Sequence, residues 1–188
     1  MINRKIILAS KSPRRSQLLR EAGFEFEIRT REIEESYPPT LPAKEVAKFL
    51  AEKKALGVQD FITDDEIILT SDTVVILGNE IFGKPKDFAD AQNILRKLSG
   101  TIHEVITGVC LFSINKKRVF EGVSKVHFEK LSDTEIGYYI NKFQPYDKAG
   151  AYAIQEWIGL CKVKKIEGTY SNIMGLPVDL VYKELKQF

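Results

Sequence analysis

The chain has 188 residues, 44% hydrophobic and 29% charged, with 28 basic against 26 acidic side chains for a net charge of +2. That length and apolar content suit one soluble domain with a full core. The near-balance of charge excludes a polycation, so bulk binding of nucleic acid is disfavoured and any anion site is local. No apolar stretch nears the roughly 20 residues of a membrane span, and the opening MINRKIILAS carries too short an apolar run for a signal peptide, so a cytoplasmic protein is expected.

In chain order, KIILA (5–9) reads as a strand leading into a helix, with Ser12 as N-cap, Pro13 at the first helical position and Gly23 beyond the end. FEFEI (24–28) alternates like a half-buried strand, and residues 29–42, polar with three prolines, form a loop. A helix is expected over 43–56. EIILTSDTVVIL (66–77) is a long strand, turned by Gly78-Asn79 into EIFG. Phe88, Ala91, Ile94, Leu95 and Leu98 lie at helical spacing in a helix over 87–98. Strands at 102–114 and 118–129 meet at a turn near Asn115, and SDTE (132–135) is a capping box for a helix reaching Phe143. A Gly-containing loop, a strand at 161–167 and a helix over 177–186 complete the chain. Two successive strands with no helix between them argue against simple βαβ alternation. The expectation is an α/β fold with a mixed sheet, one domain over 1–188, shaped as two lobes around a cleft.

Five segments carry residues suited to chemistry. Lys11, Arg14 and Arg15 crowd the N-terminal end of the first helix, where the helix dipole disfavours cations. With Ser10 and Ser12 they suit an anion such as phosphate; otherwise they form a solvated helix end. Asp72 interrupts an apolar strand between Ser71 and Thr73. A carboxylate there must be paired, protonated or metal-bound, because burying it alone costs several kcal/mol. GKPKD (83–87) places Lys84 before a proline that holds it extended. Lys54 reads as dipole-favoured decoration of a helix end or as a site cation, and Glu34 and Glu35 as solvated loop acids or as site acids. YDKAGAYAIQEWIG (146–159) offers Asp147, Lys148 and Gln155, whose carboxamide both donates and accepts and so matches the edge of uracil or thymine. Trp157 reads as core or rim. EGTYSNIMGLP (167–177) is a hydroxyl- and Asn-bearing loop. Cys110 and Cys161 stand alone in apolar runs as reduced, partly buried thiols. With no CxxC and only His103 and His127, both ordinary strand residues, no zinc site is expected.

Together LASKSPRRSQLL, SDTVV, GKP, HEVITGV, DKAGAYAIQ and GTYSNIMGLPV, in this order from residue 8 to 178, resemble the Maf family of nucleoside triphosphate pyrophosphatases. The resemblance implies an elongated α/β fold related to the inosine triphosphate pyrophosphatases, with a central nucleotide cleft. It implies hydrolysis of a nucleoside triphosphate to the monophosphate and pyrophosphate, aided by Mg²⁺ or Mn²⁺. Asp72 matches the family's proton acceptor; Ser10, Arg14 and Arg15 match its phosphate-binding motif; Glu35, Lys54, Lys84 and Asp147 match further polar residues of the cleft. Arg14, Thr73 and Gln155 match the subgroup that prefers dTTP and UTP over 7-methyl-GTP. Ser71, Gln144 and Ala153 depart from the usual Ala, Glu and Gly.

On charge placement, Asp72 and Glu35 are the expected metal ligands, with Lys54, Lys84 and the two arginines neutralising the triphosphate. The expected partner is the nucleotide, with no membrane and no stable nucleic-acid complex; a homodimer agrees with the resemblance. A nucleotide- or nucleic-acid-binding regulator of septum formation, using the same anion site without catalysis, is the alternative.

Overall fold

The structure, a computed structural model, describes residues 4–63 and 65–188. Its elements run β1 (Lys5–Leu8), α1 (Pro13–Glu21), β2 (Phe26–Ile28), a 3₁₀ turn at Ala43–Glu45, α2 (Val46–Leu56), β3 (Glu66–Leu77), β4 (Glu80–Phe82) and α3 (Phe88–Leu98). Then follow β5 (Ile102–Phe112), β6 (Lys117–Phe128), α4 (Asp133–Phe143), α5 (Trp157–Lys162), β7 (Val163–Glu167), α6 (Tyr170–Met174) and α7 (Val178–Leu185). The strands form a mixed sheet in the order β2-β1-β3-β5-β6-β7, with β4 on β3. The α/β class and mixed sheet read from the sequence are those of the structure. The chain divides into two compact units, the first of residues 1–72, 107–122 and 175–188, the second of residues 73–106 and 123–174.

In the first unit β1 pairs in parallel with both β2 and β3, which brings Ile7 beside Ile68 and Leu8 beside Leu69. Helix α2 turns a face of Ala47, Ala51 and Ala55, four residues apart, into the core. These small side chains let the helix backbone approach the sheet closely. A methyl placed on Gly108 of β5 would lie 2.3 Å from the Ala47 carbonyl oxygen, so only glycine fits there. Buried Ile7, Ala51, Ala55, Ile68 and Cys110 pack around this contact, and burial pushes the Cys110 thiol up to about 12. Glu66, buried where β3 begins, is held by Arg29, which also grips Glu27.

In the second unit β4 folds back antiparallel on β3 through Gly78, whose φ of 63° suits glycine. Asp87 caps α3 by accepting from the Asp90 amide, and the expected capping box of Ser132 and Glu135 opens α4. Buried Val75, Phe82, Leu95, Phe128, Tyr139 and Ile140 belong to one core.

Several expected boundaries move. The strand expected over 161–167 begins at Val163, because Trp157–Lys162 forms a helical turn and a half first; Cys161 therefore lies exposed on α5 rather than partly buried. Residues 170–174, read as loop, are helical, β2 starts at Phe26, and the first turn of the helix expected from residue 43 is 3₁₀. Helices this short present too few turns for a hydrophobic period to show.

His103, read as an ordinary strand residue, is fully buried. Its Nε2 shares a 2.8 Å hydrogen bond with the Tyr152 hydroxyl, and its ring meets Phe128 and Tyr152 edge-on. Its Nδ1 is buried with no hydrogen-bond partner among the described residues. Protonation would put a second N–H where nothing accepts it. Burial, with a smaller push from His127, lowers its pKa to about 4 from 6.5. The unfolded chain thus takes up a proton first as pH falls, so stability is lost between pH 6.5 and about 4 and unaffected by this group above 6.5. That linkage is on the order of 3 kcal/mol. In His103→Gln, the difference in unfolding free energy between pH 7 and pH 4, measured by urea titration, should shrink by about that amount.

Candidate active site

The sequence-predicted residues fall into two groups. Ser10, Ser12, Arg14, Arg15, Glu35, Lys54 and Asp72 belong to the first unit, and Thr73, Lys84, Asp147 and Gln155 to the second.

The first group is assembled by the packing of α2 on β3. Alternate strand residues share a face, and helix residues three apart share a side. Thr70 and Asp72 of β3 accordingly meet Ala51 and Lys54 of α2: the Thr70 hydroxyl donates to the Ala51 carbonyl at 2.6 Å, and the Lys54 ammonium donates to the Asp72 carboxylate. Lys54 also donates to Glu35 Oε1 at 2.7 Å. One cation thus holds a buried carboxylate from a core strand and an exposed one from the proline-bearing loop. Asp72 is paired, as an acid in that strand must be, and Lys54 is no mere decoration of a helix end.

The strand-to-helix turn supplies the next layer. Arg15 Nε donates to the Gly175 carbonyl at 2.9 Å, and its Nη1 donates to Ser10 Oγ at 3.2 Å. Ser71 donates to the same Gly175 carbonyl at 3.4 Å. Desolvation lowers the Arg15 pKa, opposed by the negative charges of Asp72 and Glu35 and reinforced by Arg14. Ser12 takes the N-cap position of α1, but its side chain makes no capping hydrogen bond; its amide donates instead to Ser10 Oγ at 3.2 Å. The expected Ser12 cap is therefore a cap in backbone only, and the Ser10 hydroxyl collects two donors, from Arg15 and from the Ser12 amide.

The donor chemistry also answers whether a divalent cation fits. Asp72 and Glu35 converge on a single ammonium, and two carboxylates completed by phosphate oxygens and water are the set that Mg²⁺ takes. Among the described residues no cluster of three or more His, Cys, Asp or Glu could hold a metal by itself. Two carboxylates alone would leave most positions around such an ion to other oxygen donors.

In the second unit, Lys84 follows Gly83, whose carbonyl accepts from the Gly150 amide at 3.1 Å. That bond joins the GKP segment to the turn after Asp147. Gly150 is required there: its φ is 71°, and a methyl would approach Val75 to 2.8 Å. Asp147 accepts from Lys148 at 2.7 Å, and Lys148 also reaches Glu156 at 3.4 Å. Gln155 occupies a turn closed by the Glu156 amide on the Ala153 carbonyl at 3.1 Å, and its Oε1 is buried with no hydrogen-bond partner among the described residues.

Lys148 is a residue the sequence singles out beside Asp147, whereas Tyr139 and Glu156 carry no such signal. Tyr139 sits at core spacing with Ile136 and Ile140, so only its hydroxyl, which needs a partner when buried, hinted at more.

A mixed-sheet α/β protein with a cation-bridged pair of acids beside a serine–arginine turn is the class defined so far. The family described as Maf-like protein matches residues 5–188, and the chain belongs to it. A protein of Phocaeicola vulgatus named dTTP/UTP pyrophosphatase is 50% identical over 184 residues, 97% of this chain and 95% of that one. One of the same name from Flavobacterium johnsoniae is 49% identical over 181 residues, 96% and 93% of the two chains. Among solved structures, the Staphylococcus aureus Ham1 protein aligns with 66% of this chain and 71% of its own at 15% identity and a TM-score of 0.46.

The Lys54–Asp72 pair should show its coupling in unfolding. A double-mutant cycle of Lys54→Met and Asp72→Asn, followed by urea denaturation at pH 7, should return an interaction of roughly 1–3 kcal/mol, with the double variant more stable than the sum of the single losses.

Proposed function

We propose that this protein hydrolyses nucleoside triphosphates, dTTP and UTP before others, to the monophosphate and pyrophosphate. The observation that carries the reading is the pair of relatives named dTTP/UTP pyrophosphatase at 50% and 49% identity over nearly all of this chain. The cation-bridged acids beside the serine–arginine turn give that activity a chemical basis.

Attack on a phosphoryl group needs an activated water, neutralised oxygens and in-line geometry. Asp72 takes the proton of the attacking water, with Lys54 orienting its carboxylate. Ser10, Ser12, Arg14 and Arg15 hold the triphosphate at the head of α1, where hydroxyls, backbone amides and guanidinium forks suit phosphate oxygens. Lys54 and Lys84 offset the charge that develops on the departing pyrophosphate. Asp72 and Glu35 would hold a divalent cation, Mg²⁺ or Mn²⁺, which when bound supplies phosphate neutralisation and a more acidic water. Gln155, with Thr73, reads the base: its Oε1, buried with no hydrogen-bond partner among the described residues, suits the N3–H that uracil and thymine share. Asp147 completes the polar residues assigned to substrate.

A carboxylate beside a triphosphate repels it unless a metal or catalysis requires it, which counts against a binder without chemistry. The reading includes a cytoplasmic setting, where nucleotide pools lie; among the described residues no helix is long and apolar enough to cross a membrane.

With Mg²⁺, the protein should release pyrophosphate and not orthophosphate from dTTP and UTP, and Asp72→Asn should lower kcat by about 10²–10⁴ while remaining folded. Wild-type turnover in Asp72→Asn removes that residue from the proton transfer. Absence of turnover of any triphosphate by the native protein sinks the reading as a whole.

A further inference from the structure

Residues 152–156 lie outside any helix or strand, yet Tyr152, Ala153 and Ile154 are buried. A buried irregular segment needs partners for its backbone polar groups. Here one oxygen serves both ends. The Tyr139 hydroxyl accepts from the Ala153 amide at 3.0 Å and donates to the Glu156 carboxylate. Ala153 and Glu156 are the first and last residues of the turn that carries Gln155, already closed by its own backbone hydrogen bond.

Three further contacts restrain the same turn. Lys148, itself buried, reaches the other oxygen of Glu156 at 3.4 Å. The Tyr139 ring is fully buried and stacked on Phe143 at 5.0 Å, so its hydroxyl has little freedom to follow a moving turn. Helix α5 presses directly on the turn, since a methyl on Gly159 would lie 1.8 Å from the Ile154 carbonyl oxygen.

A carboxamide can present its oxygen or its nitrogen to a ring edge. A Gln free to turn over serves uracil, with N3–H and two carbonyls, and cytosine, with N3 and an amino group, almost equally. That turning over is a rotation about Cγ–Cδ, and which way round the carboxamide stays is set by what it faces: its Oε1 is buried with no hydrogen-bond partner among the described residues, and a held backbone keeps it in those surroundings. We propose that Tyr139, through its paired hydrogen bonds to Ala153 and Glu156, is the positioning residue that fixes the Gln155 turn and thereby sets the preference for uracil and thymine over cytosine. This rests on Gln155 reading the base, as assigned above. Tyr139 touches neither the substrate nor the reacting atoms.

The test is the ratio of kcat/KM for UTP to that for CTP, with Mg²⁺ and the full chain. A general loosening of the fold lowers both substrates together and leaves the ratio alone. Tyr139→Phe removes only the shared oxygen and should lower the ratio about tenfold. Added to Gln155→Ala it should change the ratio by less than about twofold, because it acts through that side chain. Glu156→Ala should lower the ratio in the same direction, and Glu156→Gln, which keeps an acceptor for the phenol, should restore most of it. That pair decides the matter if Tyr139→Phe does not fold. If Gln155→Ala collapses the ratio while Tyr139→Phe and Glu156→Ala leave it unchanged, the positioning role is wrong and the base-reading role stands. If Gln155→Ala itself leaves the ratio unchanged, the base-reading assignment falls and the positioning role falls with it.

Discussion

Lys54 holds one positive charge between two carboxylates, and the architecture of the first unit can be derived from the need to keep it there. A carboxylate in a core strand is tolerable only with a partner of opposite charge and satisfied hydrogen bonds. Asp72 finds that partner on the helix that covers its strand, so α2 and β3 must keep their register to within a residue. The Thr70 hydroxyl on the Ala51 carbonyl fixes that register from one side. The bare surface of Gly108, on β5, against the Ala47 carbonyl seats the same helix closely on the sheet. A one-residue slip of the strand would carry Asp72 to the opposite face of the sheet. The alanines of α2 are therefore part of how the site is made: larger residues at Ala47 or Ala51 would lift Lys54 away from Asp72.

The second carboxylate follows a different logic. Glu35 belongs to a loop, is exposed, and is held by the same ammonium. Loops carry functional groups that a rigid scaffold then positions, and here Lys54 of α2 is part of that scaffold. Because Lys54 serves both acids, the buried acid and the loop acid are coupled: whatever takes one carboxylate from Lys54 changes what holds the other.

How much of this was legible in the sequence differs by type of feature. The long strand at 66–77, the capping box at 132–135 and the amphipathic helix at 88–98 were plain, because each shows a strong local period or a complete cap. Asp72 was conspicuous as a polar break in an apolar run. Its partner was not, since Lys54 is eighteen residues away and reads as an ordinary cation at a helix end. Ser12 read as a cap by residue type, but capping depends on where the side chain turns, and the Ser10 hydroxyl draws the Ser12 amide instead. Helices α5 and α6 escaped because five or six residues cannot display a helical repeat. The solitary His103 showed nothing of its burial, which comes from strand and loop residues distant in the chain.

Tyr139 marks the boundary of what pattern reading can reach. By spacing it is a core residue of α4, and by burial it is one. A phenylalanine would satisfy the same pattern. What distinguishes tyrosine is a single oxygen whose two partners lie fourteen and seventeen residues further on. Burying that hydroxyl without both partners would cost more than the hydrogen bonds return. The turn at Ala153–Glu156 and the phenol therefore depend on each other: the turn gains a fixed point within the hydrophobic core, and the core accepts a polar atom only because the turn satisfies it. Holding Gln155 in place then requires no regular secondary structure beneath it. It requires that the irregular segment be pinned at both ends, and the two bonds to Tyr139 do that with one atom.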